Sequence, residues 1–500
     1  MKGDIRALEG IVYFKKRVQF FTHSYWKSLF LCLGLAFFVR ILVALLIPGV
    51  WRADEFFQYL EPAHRLSYGT GIITWEWRVG IRSWLVPGVL AQLMTIGQVL
   101  GIKSQLFFIR LCLSLASLCV VAAFFWYGWR KAGSVGAWTL GLFGIFWPDI
   151  LSASIRSLGE FLGGNALLVG VILLLAYRRE PAGKKGLLIA SMAGLALGVA
   201  AAIRFQLAPG AGLAMLFFIQ KKKNKEILSA YCAFILPIVF LGILDWVTLG
   251  NAFQSIFKNY YYNKTLGIAD QYGKKWPGFY IEKYIEFWGA LCVPAFFLIL
   301  KAKQEKVIPL LIAGFILFYH SLISHKEMSF VYASVILIVF VAACGCFEVI
   351  QKVPEQKAKI LGGITVGMLF TFISTYIPFL NDNSIGLRFQ KMARKQPDAC
   401  GIALLTGTAG YSSFEMGGYS TLSKKIPLYL YTSINEATEN SQYYNYIITT
   451  EQGSVPIFSK EWQQIKCKSN KICLYHHVNQ TCAGQPNFEQ FSNKLKALGK

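Results

Sequence analysis

Arg52-Ala53-Asp54-Glu55, followed by Gln58, Glu61, His64 and Arg65, stands directly after the first long apolar run, near residues 28–48. These two neighbouring stretches decide the fold. About 20 apolar residues suffice for one helix to cross the hydrocarbon core of a bilayer, so the ionisable residues that follow stand at a water–lipid boundary. Phe56, Phe57, Leu60, Ala63 and Leu66 recur at helical spacing, which predicts an amphipathic helix over 53–67 lying on a membrane face. Gly69 and Gly71 end it, and Thr74-Trp75-Glu76-Trp77, Arg78, Gly80 and Ile81-Arg82-Ser83 come next. The adjacent carboxylates have two readings. Acids in a first turn complement the helix dipole. A carboxylate at such a boundary is also placed to act as a general base.

The composition agrees with this start. Of 500 residues, 55% are hydrophobic and only 15% are charged, whereas soluble domains carry roughly 25% charged residues. The chain is a polytopic membrane protein. Its formal net charge of +24 is that of cytoplasmic loops facing anionic lipid. The basic residues fall in short loop clusters without a recognition motif, so nucleic acid is set aside as a partner.

About twelve apolar segments lie between residues 28 and 380, two of them near 106–129 and 135–150. Basic clusters at 178–185, 221–223, 301–306 and 352–359 mark the cytoplasmic side. That places the loop 49–82, the corners at 204–206 and 324–329, the loop 251–284 and the tail from 381 on the external face. The parity between 83 and 177 fails by one, so about eleven crossings are expected, with one segment re-entrant or surface-lying. The organisation expected is a cytoplasmic N-terminal segment over 1–27, a transmembrane domain over 28–380 with its catalytic loop at 49–82, and an external domain over 381–500.

The tail has soluble composition and reads as a small α/β or α+β domain. Strands are expected at Ala399–Thr406 and Tyr446–Thr450, with a hairpin over Lys466–Val478 turning at Ser469-Asn470-Lys471. Gly407-Thr408-Ala409-Gly410 reads as a turn before it reads as a nucleotide loop. Cys467, Cys473 and Cys482 with His476-His477 fit no standard zinc spacing, so no metal is assigned. On an external face, one or two disulfides among Cys400, Cys467, Cys473 and Cys482 are the simpler reading.

Polar residues also recur at the outer ends of the apolar segments: Asp149, Arg156 and Glu160; Arg204 and Gln206; Asp245; the loop around Tyr261; and His325-Lys326-Glu327. Ionisable groups at membrane depth are costly and usually functional. Asp54 and Glu55 are the expected catalytic pair, taking a proton from a sugar hydroxyl. Arg204, His325 and Lys326 are expected to neutralise a phosphate leaving group. Gln58, Trp75, Glu76, Trp77, Arg82, Arg156, Gln206, Tyr261 and Glu327 are expected to bind substrate, the aromatic rings stacking on sugar faces. Such equipment in a bilayer suits a lipid-phosphate sugar donor.

The stretch from Asp54-Glu55 through Gln58, Glu61, His64 and Thr74-Trp75-Glu76-Trp77 to Ile81-Arg82-Ser83 and Pro87 resembles the first external loop of glycosyltransferase family 22, the mannosyltransferases of lipid-linked oligosaccharide and glycosylphosphatidylinositol assembly. The Trp-Glu-Trp…Ile-Arg-Ser form is most like the branch that adds a third mannose to glycosylphosphatidylinositol. His325-Lys326-Glu327 is similar to a second recurrent motif, and Ile155-Arg156-Ser157-Leu158 with Glu160 is similar to a divergent third. The resemblance implies an all-α GT-C fold and an inverting transfer of mannose, without metal or other cofactor. It implies a polyprenyl-phosphate-sugar donor and a glycolipid acceptor, with a first-loop acid as base. The family has His-Pro before the acid pair where this chain has Arg52-Ala53. The reading adopted is a bacterial relative in the cytoplasmic membrane, with the endoplasmic reticulum as the alternative. A glycolipid flippase would place ionisable residues near mid-membrane and show matched halves; neither is visible. A glycan ligase of the same architecture stays open.

Overall fold

The computed structural model describes residues 24–500 apart from 48, 51, 181–182, 220–223, 304–305, 383–384, 407–415, 423, 451–460, 469–471 and 479. Most of the basic segment 1–27, the turn at 407–410 and the hairpin tip at 469–471 therefore lie outside the described residues.

Among the described residues, eight helices are long and apolar enough to cross a membrane, and Leu85–Val99, Phe205–Ile219 and Val307–Ser321 are shorter apolar helices. This is the expected all-α polytopic membrane architecture. The 42-residue element Gln105–Phe146 would be a rod of roughly 60 Å if straight, twice the hydrocarbon thickness. It breaks instead at Ala132 (φ −158°) and Gly133 (φ 58°). The limbs double back so closely that a Cβ on Gly128 would lie 2.2 Å from the Gly136 carbonyl oxygen. The segments expected near 106–129 and 135–150 are thus the two limbs of one helical hairpin. Small residues also seat Lys184–Ile203 on Asn224–Leu249, where a Cβ on Gly194 would lie 2.0 Å from the Ala230 carbonyl oxygen.

Buried arginines tie the bundle together through carbonyls that have no water to serve them. Arg40 donates to Ser117 Oγ (2.8 Å) and the Gly144 carbonyl (3.2 Å). Arg110 donates to the carbonyls of Ile47 and Gly49 at 2.7 and 2.6 Å.

The polar stretch after the first helix forms one helix over 53–68, wound as a π-helix over Glu55–Leu60 and closed by Gly69 at φ 73°. It does not lie on a surface. Glu55, Phe56, Gln58, Tyr59, Leu60, Glu61 and Ala63 are all buried. Its polar side chains find partners on neighbouring segments, so both faces can be covered. Trp75–Val79 follows as a short helix.

The C-terminal part holds a mixed five-stranded sheet of order β2-β1-β3-β5-β4. The strands are β1 (Ile402–Leu405), β2 (Leu428–Tyr431), β3 (Tyr446–Thr449), β4 (Trp462–Lys468) and β5 (Ile472–His477). β1 runs parallel to β2 and β3, while β5 is antiparallel to β3 and β4. Disulfides join Cys400 to Cys482 and Cys467 to Cys473. β2 was not foreseen. Its Leu-Tyr-Leu-Tyr run is buried throughout and shows no polar alternation of the kind that marks a half-solvated strand. The helix Gln490–Ala497 packs against this strand, and Gln490 completes it by accepting from Leu430 N–H (2.7 Å) and donating to the Leu430 carbonyl (3.0 Å).

Candidate active site

A cavity of about 520 Å³ opens where the helix over 53–68, the segment 74–82, the corners at 204–207 and 319–330, and the loop 259–272 meet. Asp54, Gln58, Trp75, Glu76, Arg82, Arg204, Gln206, His325 and Glu327 all line it. Successive positions on the helix, about 100° apart, set the roles of the acid pair. Asp54 faces the cavity and, among the described residues, has no hydrogen bond or ion pair. Burial, then the nearby Glu327 and Glu76, push its carboxyl up to about 8 against the pull of Arg82. Glu55 turns the other way. It is 1% exposed, sits 3.4 Å from Arg156 Nη1 and accepts from Ser157 N–H at 3.4 Å. Arg156 also donates to the Gly49 carbonyl at 2.5 Å. The Glu55–Arg156 pair is therefore a buried brace beneath the cavity, and neither residue lines it.

Most cavity cations are already matched. Arg204 holds Glu160 at 2.6 Å, and Arg82 holds Glu76 at 2.5 Å. His325 Nε2 lies 3.4 Å from Glu327, and the hydrogen bond to that carboxylate raises the imidazole's affinity for its proton despite burial. Burial pushes Glu327 up, but His325 and Arg52 outweigh it and hold it below the usual carboxylate range. Gln58 donates to Glu76 at 3.4 Å. Trp75 donates to Tyr272 OH at 3.1 Å, leaving its ring on the cavity wall.

Four expected site residues stand elsewhere besides Glu55. Lys326 is buried, and its ammonium donates to the carbonyls of Lys275 (3.1 Å) and Ile323, pinning the corner next to His325. Trp77 donates to the Phe57 carbonyl (3.0 Å) and packs on Trp84. Tyr261 is 50% exposed and meets Tyr262 edge-on, and Arg156 is the brace already described. Asp149 and Asp245 also lie off the cavity. Asp245 accepts from Ser255 Oγ and N–H, and Asp149 from Trp147, Trp288 and Tyr376. In the other direction, Lys264, Tyr272 and Leu495 line the cavity without having been singled out. Lys264 lies within the external loop 251–284, three residues from the Tyr261 that the sequence singled out. Nothing in the sequence ties Leu495, over 400 residues away, to this place.

Residues 29–397 match the family described as the Alg9-like mannosyltransferase family. Mannosyltransferase APTG1 of Arabidopsis thaliana is 27% identical over 302 residues, 58% of this chain and 54% of that protein. GPI mannosyltransferase 3 of Yarrowia lipolytica is 40% identical over 101 residues, 20% of this chain and 18% of its own length. GPI mannosyltransferase 3 of Saccharomyces cerevisiae is 50% identical over 48 residues, 10% of this chain and 8% of its own. These matches span about half or less of the relatives' lengths. In fold, the chain superposes on ArnT from Cupriavidus metallidurans, solved with undecaprenyl phosphate, with a TM-score of 0.59 at 11% identity over 91% of this chain and 99% of that one. The shared architecture is the GT-C fold.

Proposed function

The chain belongs to the Alg9-like mannosyltransferase family, and from that premise we propose that it is an inverting mannosyltransferase. It moves mannose from a polyprenyl phosphate to a hydroxyl of a glycolipid or lipid-linked glycan. The observation that carries this reading is the contrast within the acid pair. Asp54 looks into the cavity without a partner among the described residues, while Glu55 is consumed by Arg156.

In the reaction, the acceptor oxygen attacks the anomeric carbon from the face opposite the phosphate. The new C–O bond forms as the bond to the phosphate oxygen breaks. That oxygen leaves with the electron pair, and Asp54 takes the acceptor's proton. The phosphate is already a stable anion on leaving and needs no acid. His325, whose proton is held more tightly beside Glu327, and Arg204 face it, and Lys264 adds a cation from the loop. Lys326 serves this site indirectly, by fixing the backbone that carries His325. Trp75 and Tyr272 offer ring faces to sugar. The apolar part of the wall, including Phe205, Leu207 and Phe330, suits the first units of a polyprenyl chain. The ArnT structure holds a lipid phosphate of this class.

The cavity belongs on the external side of the membrane, opposite the basic clusters. Two disulfides in the C-terminal part favour an oxidising compartment. Purified protein in lipid nanodiscs, given radiolabelled polyprenyl-phosphate mannose and mannosyl glycolipids, should release lipid phosphate and label the acceptor. Absence of transfer with every acceptor and retention of intact donor would defeat the reading.

A further inference from the structure

Resting on the transfer reading above, we propose that the C-terminal domain builds the acceptor-facing wall of the cavity and that Glu61 is the positioning residue that holds this wall to the catalytic helix. Leu495, on the helix Gln490–Ala497, lines the same cavity as Asp54. That helix belongs to a domain whose described residues include no membrane-spanning segment. The wall it forms is therefore a polar-phase wall. Phe205, Leu207 and Tyr319 line the cavity from apolar helices within the bundle, where a polyprenyl chain must approach. The glycan of an acceptor projects away from lipid and meets the domain.

Glu61 makes the connection. It is completely buried, and among the described residues it faces no cation within ion-pair distance. Its carboxylate is instead satisfied by backbone N–H groups: Ile72 at 2.9 Å, Tyr419 at 3.3 Å and Ser420 at 2.8 Å. The first belongs to the return limb of the catalytic loop and the other two to the C-terminal domain. The approach is so close that a Cβ on Gly418 would lie 2.3 Å from Phe56 Cζ and 2.7 Å from Glu61 Oε1. Tyr419 passes the link onward, accepting from Leu428 N–H at the start of β2 (3.1 Å) and donating to the Phe488 carbonyl ahead of the last helix (3.0 Å). A second set of contacts joins the same two parts. Ile73 N–H donates to Ser492 Oγ at 3.1 Å, and Arg65 pairs with Glu489 at 3.0 Å. Asp54 and Glu61 share one continuous helix with the π-turn between them. The buried carboxylate is thus the central clamp, with these outer contacts beside it, that sets where the wall stands relative to the base.

The test uses full-length protein in nanodiscs, with undecaprenyl-phosphate mannose as donor and alkyl-linked mannosyl oligosaccharides of increasing length as acceptor probes. Leu495→Trp narrows the wall, and Glu61→Gln turns an N–H donor toward the backbone donors of Tyr419 and Ser420. Both are expected to raise the acceptor KM about tenfold while the donor KM stays within about twofold. Glu61→Gln should also shift the pH profile of kcat, because Asp54 moves with its helix. Equal effects on both substrates, or none, overturn the proposal. To keep the test independent of how either variant folds, hydrogen exchange on the unaltered protein is the companion measurement. Exchange over 488–497 should slow on adding the acceptor probe and not on adding undecaprenyl phosphate. No slowing, or slowing by the lipid phosphate, overturns it as well. Failure of the unaltered protein to transfer mannose would instead defeat the transfer reading, and the exchange result would still judge the wall.

Discussion

Asp54 and Asp149 are both enclosed acids on segments that follow long apolar helices, and their surroundings could hardly differ more. Asp149 receives Trp147 Nε1 at 2.9 Å, Trp288 Nε1 at 2.8 Å and Tyr376 OH at 2.8 Å. Three donors from separate segments close on one carboxylate. Asp54 receives nothing from the described residues and sits among other carboxylates. Burial raises the proton affinity of both acids, and at Asp149 the three donors oppose that rise. A satisfied buried acid binds a fold together, whereas an unsatisfied one beside a cavity stores free energy that a substrate can use.

The sharpest way to break this comparison is to exchange the two outcomes. Asp54→Asn should lower turnover by roughly 10²–10⁴-fold with the chain still folded. Asp149→Ala strands three buried donors and should cost about 3–5 kcal/mol of stability. Radiolabel transfer and thermal unfolding of both variants read this directly. A stable, inactive Asp149→Ala protein beside an active Asp54→Asn protein would reverse the assignment. Glu55→Gln should follow the structural pattern. It leaves Arg156 buried with its charge unbalanced, at a cost of about 3 kcal/mol, and any activity that survives should keep its normal pH dependence.

A second comparison uses pH. Asp54 serves as base only when ionised, so kcat/KM should climb with pH and level off near the value of about 8 to which its carboxyl is pushed. Stability runs the opposite way. Between its ordinary value of 3.8 and about 8, the folded protein holds a proton on Asp54 that the unfolded chain has released. Stability contributed by this group is therefore lost as pH rises through that window. Asp54→Asn removes the loss, so its melting temperature should exceed that of the unaltered protein by more at pH 8 than at pH 5. An equal difference at both would mean Asp54 is not perturbed.

The smallest expected effect separates two lysines. Lys264 lines the cavity, and Lys264→Ala should raise the donor KM by about three- to tenfold, the worth of about 1 kcal/mol at an exposed charge. Lys326 is spent on two carbonyls. Lys326→Ala should lower both kcat and melting temperature, because the His325 corner loosens. If it raises only the donor KM, Lys326 reaches the phosphate after all.

The sequence made much of this legible, and the limits have physical causes. Apolar run length exposed the spans, since each must satisfy its own backbone in lipid. The polar corners at Arg204, Gln206, His325 and Glu327 stood out because ionisable residues are rare there, and they do share one cavity. Their identity did not reveal direction. Lys326 and His325 are neighbours in sequence, yet one side chain turns into the loop backbone and the other into the cavity. Glu55 and Asp54 part in the same way. The helix over 53–67 was readable from its apolar spacing, but its burial on both faces was not, because that depends on donors supplied to Glu55 and Glu61 from residues 156, 419 and 420. Leu495 had no local signal at all.

The π-turn over Glu55–Leu60 also bears on how this region can change length. Each backbone hydrogen bond there spans one residue more than in an α-helix. Removing any one residue between Asp54 and Glu61 would let the turn relax to regular α-helix, an easy local repair. The shortened α-helix would turn through about the same total angle as the wide turn, so Asp54 and Glu61 would keep their relative facing. Rewinding all the present residues as α-helix would instead swing Asp54 by about 100° and take it off the cavity while Glu61 stays clamped to the C-terminal domain. A one-residue deletion that makes the helix more regular would therefore leave Asp54 on the cavity. The wide turn thus fits one more residue between the base and the clamp without moving either.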